Sequence, residues 1–168
     1  MSEHRVTTPP EDVAQRAKVL TCSDGVVHGT REDRSGAALA DALAEHGFEV
    51  VERRVTPDGE DAVAEALVEL TEGFDGLVVT TGGTGFAPRD QTPEGTRRVI
   101  ERDAPGIAEA MRLVNPLGRL SRGVAGVRGG AIVVNTPGSV KGCVEQLEAV
   151  IDVLPHALRL LHGTDGPH

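Results

Sequence analysis

The chain has 168 residues and a mass of 17.6 kDa, enough for one domain with its own core and no need of disulfides or a structural metal. Seventeen Lys+Arg against 26 Asp+Glu leave a net charge of −9, and three Phe are the only aromatic residues. An acidic surface without aromatic stacking platforms argues against nucleic-acid and anionic-membrane partners, while leaving room for a local anion site.

Residues 1–16 are polar, include Pro9-Pro10 and read as a loosely held N-terminal arm. They lack the apolar stretch of a secretory signal, and no apolar run approaches the roughly 20 residues of a membrane span, so a cytoplasmic protein is expected. One domain is expected over 17–162, followed by a mobile tail over 163–168. Residues 18–22 form a first buried strand ending in Ser23-Asp24-Gly25, and a loop follows over 26–34. Ser35 is placed to cap a helix with an apolar stripe of Leu39, Ala40, Leu43 and Ala44, ended by Gly47. Residues 48–55 alternate Phe/Val with Glu/Arg, as a strand does, until Pro57-Asp58-Gly59 breaks the pattern.

Val63, Ala66, Leu67 and Leu70 mark a second amphipathic helix, and residues 77–80 a buried strand that runs into Gly82-Gly83-Thr84-Gly85. Segments 93–102 and 105–114 are predicted helices with proline near each start. Residues 116–130 are glycine-rich and basic, and 131–134 are a further buried strand ending in Asn135-Thr136-Pro137-Gly138. A last apolar stripe runs from Val144 to Leu161, with Pro155 expected to kink or split its helix.

Strands alternating with helices predict an α/β fold with a mostly parallel central sheet covered on both faces. Ligands of such sheets bind beyond the carboxyl ends of the strands. Four of those ends carry Gly, Ser, Thr and Asp: Ser23-Asp24-Gly25, Pro57-Asp58-Gly59, Gly82-Gly83-Thr84-Gly85 and Pro137-Gly138-Ser139. The glycines permit an anion nest of consecutive amides behind Thr81, Thr84 can add a hydroxyl, Arg89 a positive charge and Asp90 an oxygen ligand for a divalent cation. Thr92 followed by Pro93 resembles an N-cap and first helical residue aimed at the same place. Asp58 suits a metal or a polar heterocycle, although spacing alone favours a helix N-cap or turn aspartate. Ser121 and Arg122, and Ser139 with Lys141, are further anion-contact candidates, each with a plain loop or cap reading beside it. The sequence Gly-Lys-Ser/Thr of a P-loop is absent, and the glycines follow the wrong strand for a dinucleotide fingerprint. Cys22 and Cys143 are expected as free thiols, and the six histidines as scattered surface residues.

Thr81-Gly82-Gly83-Thr84-Gly85 with Arg89-Asp90-x-Thr92-Pro93-Glu94 resembles the signature of the molybdopterin adenylyltransferases, the Mog and MoaB-like proteins and the gephyrin G domain. The likeness continues through Ser23-Asp24, Asp33-x-Ser35-Gly36, Pro57-Asp58, Pro105-Gly106, Leu120-Ser121-Arg122-x-x-Ala125-Gly126 and Asn135-x-Pro137-Gly138-Ser139, over roughly 17–162. The resemblance implies a three-layer α/β/α sandwich, a homotrimer, and Mg2+-dependent transfer of AMP from ATP to molybdopterin, with a molybdenum-insertion protein downstream. It implies Asp58 and Asp90 as the catalytic and Mg2+-holding acids and Gly82–Gly85 as the phosphate and pterin cradle. Ser23, Asp24, Ser121, Arg122 and Ser139 match its ligand-contacting loops. Val140 stands where the family often has proline, before Lys141. The family also contains members that have lost the site; retention of Asp58 and Asp90 favours an active enzyme over a non-catalytic molybdopterin carrier or scaffold, or a nucleotide-binding regulator.

Overall fold

The computed structural model describes residues 15–164. The expected arm and tail lie almost wholly outside them, although Arg16, placed in the arm, already belongs to the first strand. A six-stranded sheet is built from β1 (Arg16–Cys22), β2 (Glu49–Thr56), β3 (Gly76–Thr81), β4 (Arg102–Asp103), β5 (Ala125–Arg128) and β6 (Ala131–Thr136), in the order β2-β1-β3-β6-β5-β4. The first four strands of that order are parallel, and β5 and β4 add antiparallel at one border.

The central strands β3 and β6 are buried along their whole length, which is why they read as uninterrupted apolar runs. Alternation survives within those runs. Leu77 and Val79 of β3 join one core with Leu39 and Leu43 of α2 (Arg34–Glu45), Met111 of α5 (Pro105–Leu113), Leu147 of α6 (Val140–Glu148) and Leu158 of α7 (Leu154–Leu161). Val78 faces the other way, into a core with Val63, Leu67 and Leu70 of α3 (Glu60–Thr71) and Val99 of α4 (Thr92–Val99). The result is the expected three-layer α/β/α sandwich. Among the described residues no helix is long and apolar enough to cross a membrane.

Several local expectations are corrected. Asp33, not Ser35, caps α2: its Oδ1 accepts from the Gly36 amide at 3.1 Å and from Thr21 Oγ1 at 2.7 Å, while Ser35 is buried in the first turn. The loop over 26–34 begins with a single helical turn, α1 (Asp24–Val27), capped by Ser23. The helix expected over 93–102 ends at Val99, and β4 follows at once. The glycine-rich stretch 116–130 holds a 3-10 helix (Pro116–Leu120) and β5, whose four residues Ala-Gly-Val-Arg are too few and too small to signal a strand. Proline splits the last helix into α6 and α7 by standing in the first turn of the second.

The pairing of β2 with β1 slips by one residue between Ala17 and Lys18, so Val51 has no partner in the ladder. Beyond the slip the strand ends are nearly level: Cys22 lies opposite Thr56, Thr21 opposite Thr81, and Thr81 opposite Thr136. Connections leave β1 toward β2 on one side and return to β3 on the other, so the sheet has its topological switch between β1 and β3.

Candidate functional site

The loops after β1, β2, β3 and β6 surround one cleft of about 980 Å³. Its floor is the turn after β3. Gly82 has φ +96°, and a side chain there would collide with the Cys22 carbonyl; Gly83 has φ +70°, and a side chain there would collide with Thr92 Oγ1. No other residue fits either position. The turn is tied from behind: the Thr92 amide donates to Gly83 O at 3.1 Å, Thr92 Oγ1 to Gly82 O at 2.9 Å, and the Arg122 amide to Thr84 O at 2.9 Å. The Gly82 amide donates to Thr136 O at 3.1 Å and Thr81 Oγ1 to Pro137 O at 2.9 Å, fastening the glycine turn to the loop after β6. The amides of Gly83, Thr84 and Gly85 find no acceptor among the described residues. Successive unpaired amides on a glycine turn make a concavity suited to an anion.

Thr92 is therefore not the N-cap of α4. It stands inside the first turn, and Gln91 takes the cap position without a side-chain bond to its own helix. Gln91 Oε1 instead accepts from the Glu60 amide at 2.9 Å, closing the start of α3, whose own cap residue is Gly59.

Two acids flank the turn. A side chain begun at Gly83 would lie 3.3 Å from Asp58 Oδ1, and one at Gly85 would lie 2.9 Å from Asp90 Oδ2. Asp58 follows β2 and is tied to Asp24: the Asp24 amide donates to Asp58 Oδ2 at 3.0 Å, and the Asp58 amide donates to Asp24 Oδ1 at 3.1 Å. Arg89 clamps the pair, with Nε to Asp24 Oδ2 at 2.6 Å, Nη2 to Asp24 Oδ1 at 3.1 Å and Nη2 to the Asp58 carbonyl at 2.8 Å. Burial raises the Asp58 pKa, and the charges of Asp24 and Asp90 add to the rise against the bond from the Asp24 amide. The Arg89 guanidinium holds Asp24 below the usual carboxylate range. Asp90 Oδ2 accepts from the Ala87 amide at 3.0 Å, fixing the carboxylate at the end of its own loop.

Of the residues singled out in the sequence, Ser23, Asp58, Thr81, Gly82, Gly83, Thr84, Gly85, Asp90, Ser121, Pro137, Gly138, Ser139 and Lys141 line the cleft. Asp24, Arg89 and Arg122 do not. Arg89 borders a shallower depression beside Asp58 and Gly59. The hydroxyls are partly committed: Ser23 Oγ caps α1 through the Val26 amide at 3.2 Å, Ser139 Oγ caps α6 through the Gly142 amide at 3.0 Å, and Ser121 Oγ accepts from the Gly123 amide at 3.2 Å. Lys141 is exposed at the cleft and pairs with Glu145 at 3.7 Å. Sequence reasoning missed Arg31, Arg34, Asn115 and Gln146, which are among the other residues that line the cleft. Arg34 is the middle residue of the Asp33-x-Ser35 segment and Arg31 stands two residues before it, and their charge was the one available signal. Cys22 and Cys143 are both free and buried.

Among the described residues no three His, Cys, Asp or Glu side chains converge as a metal cluster. That donor set still suits Mg2+, which is held by one or two carboxylates together with waters and substrate phosphates. Asp58 and Asp90, on either side of a phosphate-sized nest, fit such a shared ion.

Residues 18–156 match the family profile described as "Probable molybdopterin binding domain". The chain belongs to this family. The resemblance drawn from the glycine and Asp-Gln-Thr-Pro motifs thereby holds, across the span where those motifs stand. The chain is similar to the molybdopterin adenylyltransferase of Helicobacter pylori strain J99, with 38% identity over 152 residues, covering 86% of each protein. Among solved structures it is similar to the molybdopterin biosynthesis enzyme MoaB of Thermus thermophilus, with 48% identity, a TM-score of 0.83, and coverage of 89% of this chain and 97% of the other. It is also similar to the molybdopterin biosynthesis Mog protein of Mycobacterium ulcerans, at 38% identity and a TM-score of 0.81, covering 88% and 99%. Membership of the molybdopterin-binding family puts the glycine turn in a consistent light: a phosphate is the kind of anion its unpaired amides suit.

Proposed function

We propose that the protein is a molybdopterin adenylyltransferase, which transfers AMP from ATP to the terminal phosphate of molybdopterin and releases pyrophosphate. The observation that carries this reading is the turn Gly83–Gly85, with unpaired amides and with Asp58 and Asp90 on either side, inside a cleft roomy enough for sizeable ligands. The name shared by curated relatives of nearly the same length supports it.

In this reaction a phosphate oxygen of molybdopterin attacks the α-phosphorus of ATP. A new P–O bond forms while the bond to the oxygen bridging toward the β-phosphate breaks, and that oxygen leaves on pyrophosphate. Two polyanions meet, so the catalyst has to supply orientation and charge neutralisation more than a nucleophile of its own. The amides of Gly83, Thr84 and Gly85 would hold phosphate oxygens, and the exposed Lys141 ammonium would offer a positive charge at the cleft. Asp58 and Asp90 would hold Mg2+, which neutralises polyphosphate charge when bound. Asp24 and Arg89 keep Asp58 in place from behind.

The reading includes a homotrimer, a cytoplasmic setting and a downstream molybdenum-insertion protein that consumes the product. Light scattering of the purified protein tests the first of these. For the activity, the protein is incubated with Mg2+, ATP and molybdopterin, and the products are weighed by mass spectrometry. Adenylylated molybdopterin and pyrophosphate are expected, with Asp90→Ala lowering kcat by about 100-fold. Saturable molybdopterin binding without ATP cleavage would instead mark a carrier and overturn the enzyme.

A further inference from the structure

Arg122 stands among the motif residues that resemble ligand contacts, yet each nitrogen of its guanidinium is bonded elsewhere. Nε donates to the Gly85 carbonyl at 2.8 Å, Nη2 to the Asp90 carbonyl at 2.6 Å, and Nη1 to both Glu94 oxygens, at 2.9 and 3.0 Å. These bonds gather the two ends of the loop 85–90 and fasten them to the first turn of α4, where Glu94 sits. The Arg122 amide, bonded to Thr84 O, adds a fifth tie to the same segment. The side chain is about one-third exposed and absent from the cleft lining.

The loop so closed is otherwise held by the Arg89 side chain, through its bonds to Asp24 and the Asp58 carbonyl. Phe86 at its tip is 70% exposed, and its internal bonds are those of Ala87 and Asp90 to each other. The Asp90 carboxylate is set by that internal exchange, so its position depends on where Gly85 and Asp90 are pinned. An arginine can pin them because its planar fork serves several acceptors at fixed angles, which a lysine ammonium cannot reproduce.

We propose that Arg122 is a positioning residue that acts through Asp90, by pinning the ends of loop 85–90, and does not contact the phosphates. This rests on the adenylyltransferase reading for its kinetic consequences alone; its structural consequence can be read without turnover. Bringing the guanidinium into the cleft, which it does not line, would break its bonds to two carbonyls and a carboxylate.

The test compares wild type, Arg122→Met, Arg122→Lys, Asp90→Asn and the double variant Arg122→Met/Asp90→Asn. Hydrogen exchange of the full-length protein should show amides 85–90 exchanging about ten-fold faster in Arg122→Met, with the strands unchanged. Calorimetry with ATP in the absence of metal should give a Kd within about two-fold of wild type. In turnover, kcat should fall about 50-fold with KM for ATP little changed, and Arg122→Lys should not rescue it. In the Asp90→Asn background the same substitution should cost less than about three-fold, since its target is already gone. Should Arg122→Met unfold, Glu94→Gln weakens one anchor only and should show the same pattern in smaller measure. Unchanged exchange over 85–90 overturns the proposal, as does ATP binding weakened ten-fold or more, or a loss that multiplies in the double variant. A wild type that produces no adenylylated pterin sinks the adenylyltransferase reading, while the exchange and binding measurements still decide the role of Arg122.

Discussion

Asp24 and Asp58 hold each other through reciprocal bonds, each main-chain amide donating to the other's carboxylate. Two negative side chains from neighbouring strand ends are thereby locked together, and Arg89 bonds both carboxylate oxygens of Asp24 and reaches only the main-chain carbonyl of Asp58. The compensation is lopsided. Asp24 is driven toward its ionised form by Arg89, whereas Asp58, more buried, is driven toward its protonated form.

A pH dependence follows with a definite sign. Because Asp58 has its pKa raised in the folded state, folding favours its proton, and stability is lost as pH rises from the ordinary 3.8 through the raised value. Asp58→Asn removes that loss, so thermal unfolding at pH 7 should occur at a higher temperature than in wild type, while turnover disappears. At pH 3 the two melting temperatures should converge. Asp24→Asn keeps the amide donor but removes a neighbouring charge, so the Asp58 carboxyl should titrate lower in carbon NMR of the metal-free protein.

The glycine turn tolerates no Cβ. Gly82→Ala combines a left-handed φ of +96° with collision against the Cys22 carbonyl. Strain and overpacking together should cost about 2–4 kcal/mol in denaturant unfolding. Gly106, with open space around it and no left-handed φ, provides the control: Gly106→Ala should change stability by less than about 1 kcal/mol.

Asn135 joins three elements beneath the cleft. Its Nδ2 donates to Thr80 Oγ1 and Thr96 Oγ1, both at 3.0 Å, and its Oδ1 accepts from the Val124 amide at 3.1 Å. At 1% exposure there is no water to replace these partners. Asn135→Leu should destabilise the fold by about 2–4 kcal/mol, mainly through the stranded Val124 amide, as chemical denaturation would measure.

Burial pushes the Cys22 thiol up to about 12 and the Cys143 thiol to about 11. Thiolate is the reactive form, so native protein at pH 8 should react with a chromogenic disulfide far more slowly than a free thiol. In guanidinium both should react at once. Fast labelling of the native chain would show that Cys22 is open to the cleft it borders.

The sheet was readable because its strands carry two overlapping signals: continuous apolar runs for the buried centre and abrupt Gly/Asp/Ser endings for the rim. Asp58, Asp90 and the glycine turn were readable for the same reason, since each ends a strand or follows its turn. The antiparallel border was not, because Ala125–Arg128 and Arg102–Asp103 have too few side chains to form a pattern. The commitments of Arg122, Thr92 and Gln91 were also hidden. Each bonds a partner far along the chain or outside its own helix, and local spacing carries no record of such a partner. Asp33 took the cap expected of Ser35 because it also receives Thr21 from the adjacent strand.

The slip at Val51 has a further bearing on how copies of this molecule can meet. A sheet invites another strand wherever a long, straight border leaves amides and carbonyls unpaired. Here one border is interrupted by the unpaired Val51 and crowded by Glu52, Arg53 and Arg54, and the other ends in a two-residue strand. Among the described residues, neither border is the long, regular, uncharged strand that favours edge-to-edge growth. Exposed side chains such as Leu113 and Leu117 offer copies of this chain a surface to meet on that calls for no strand pairing.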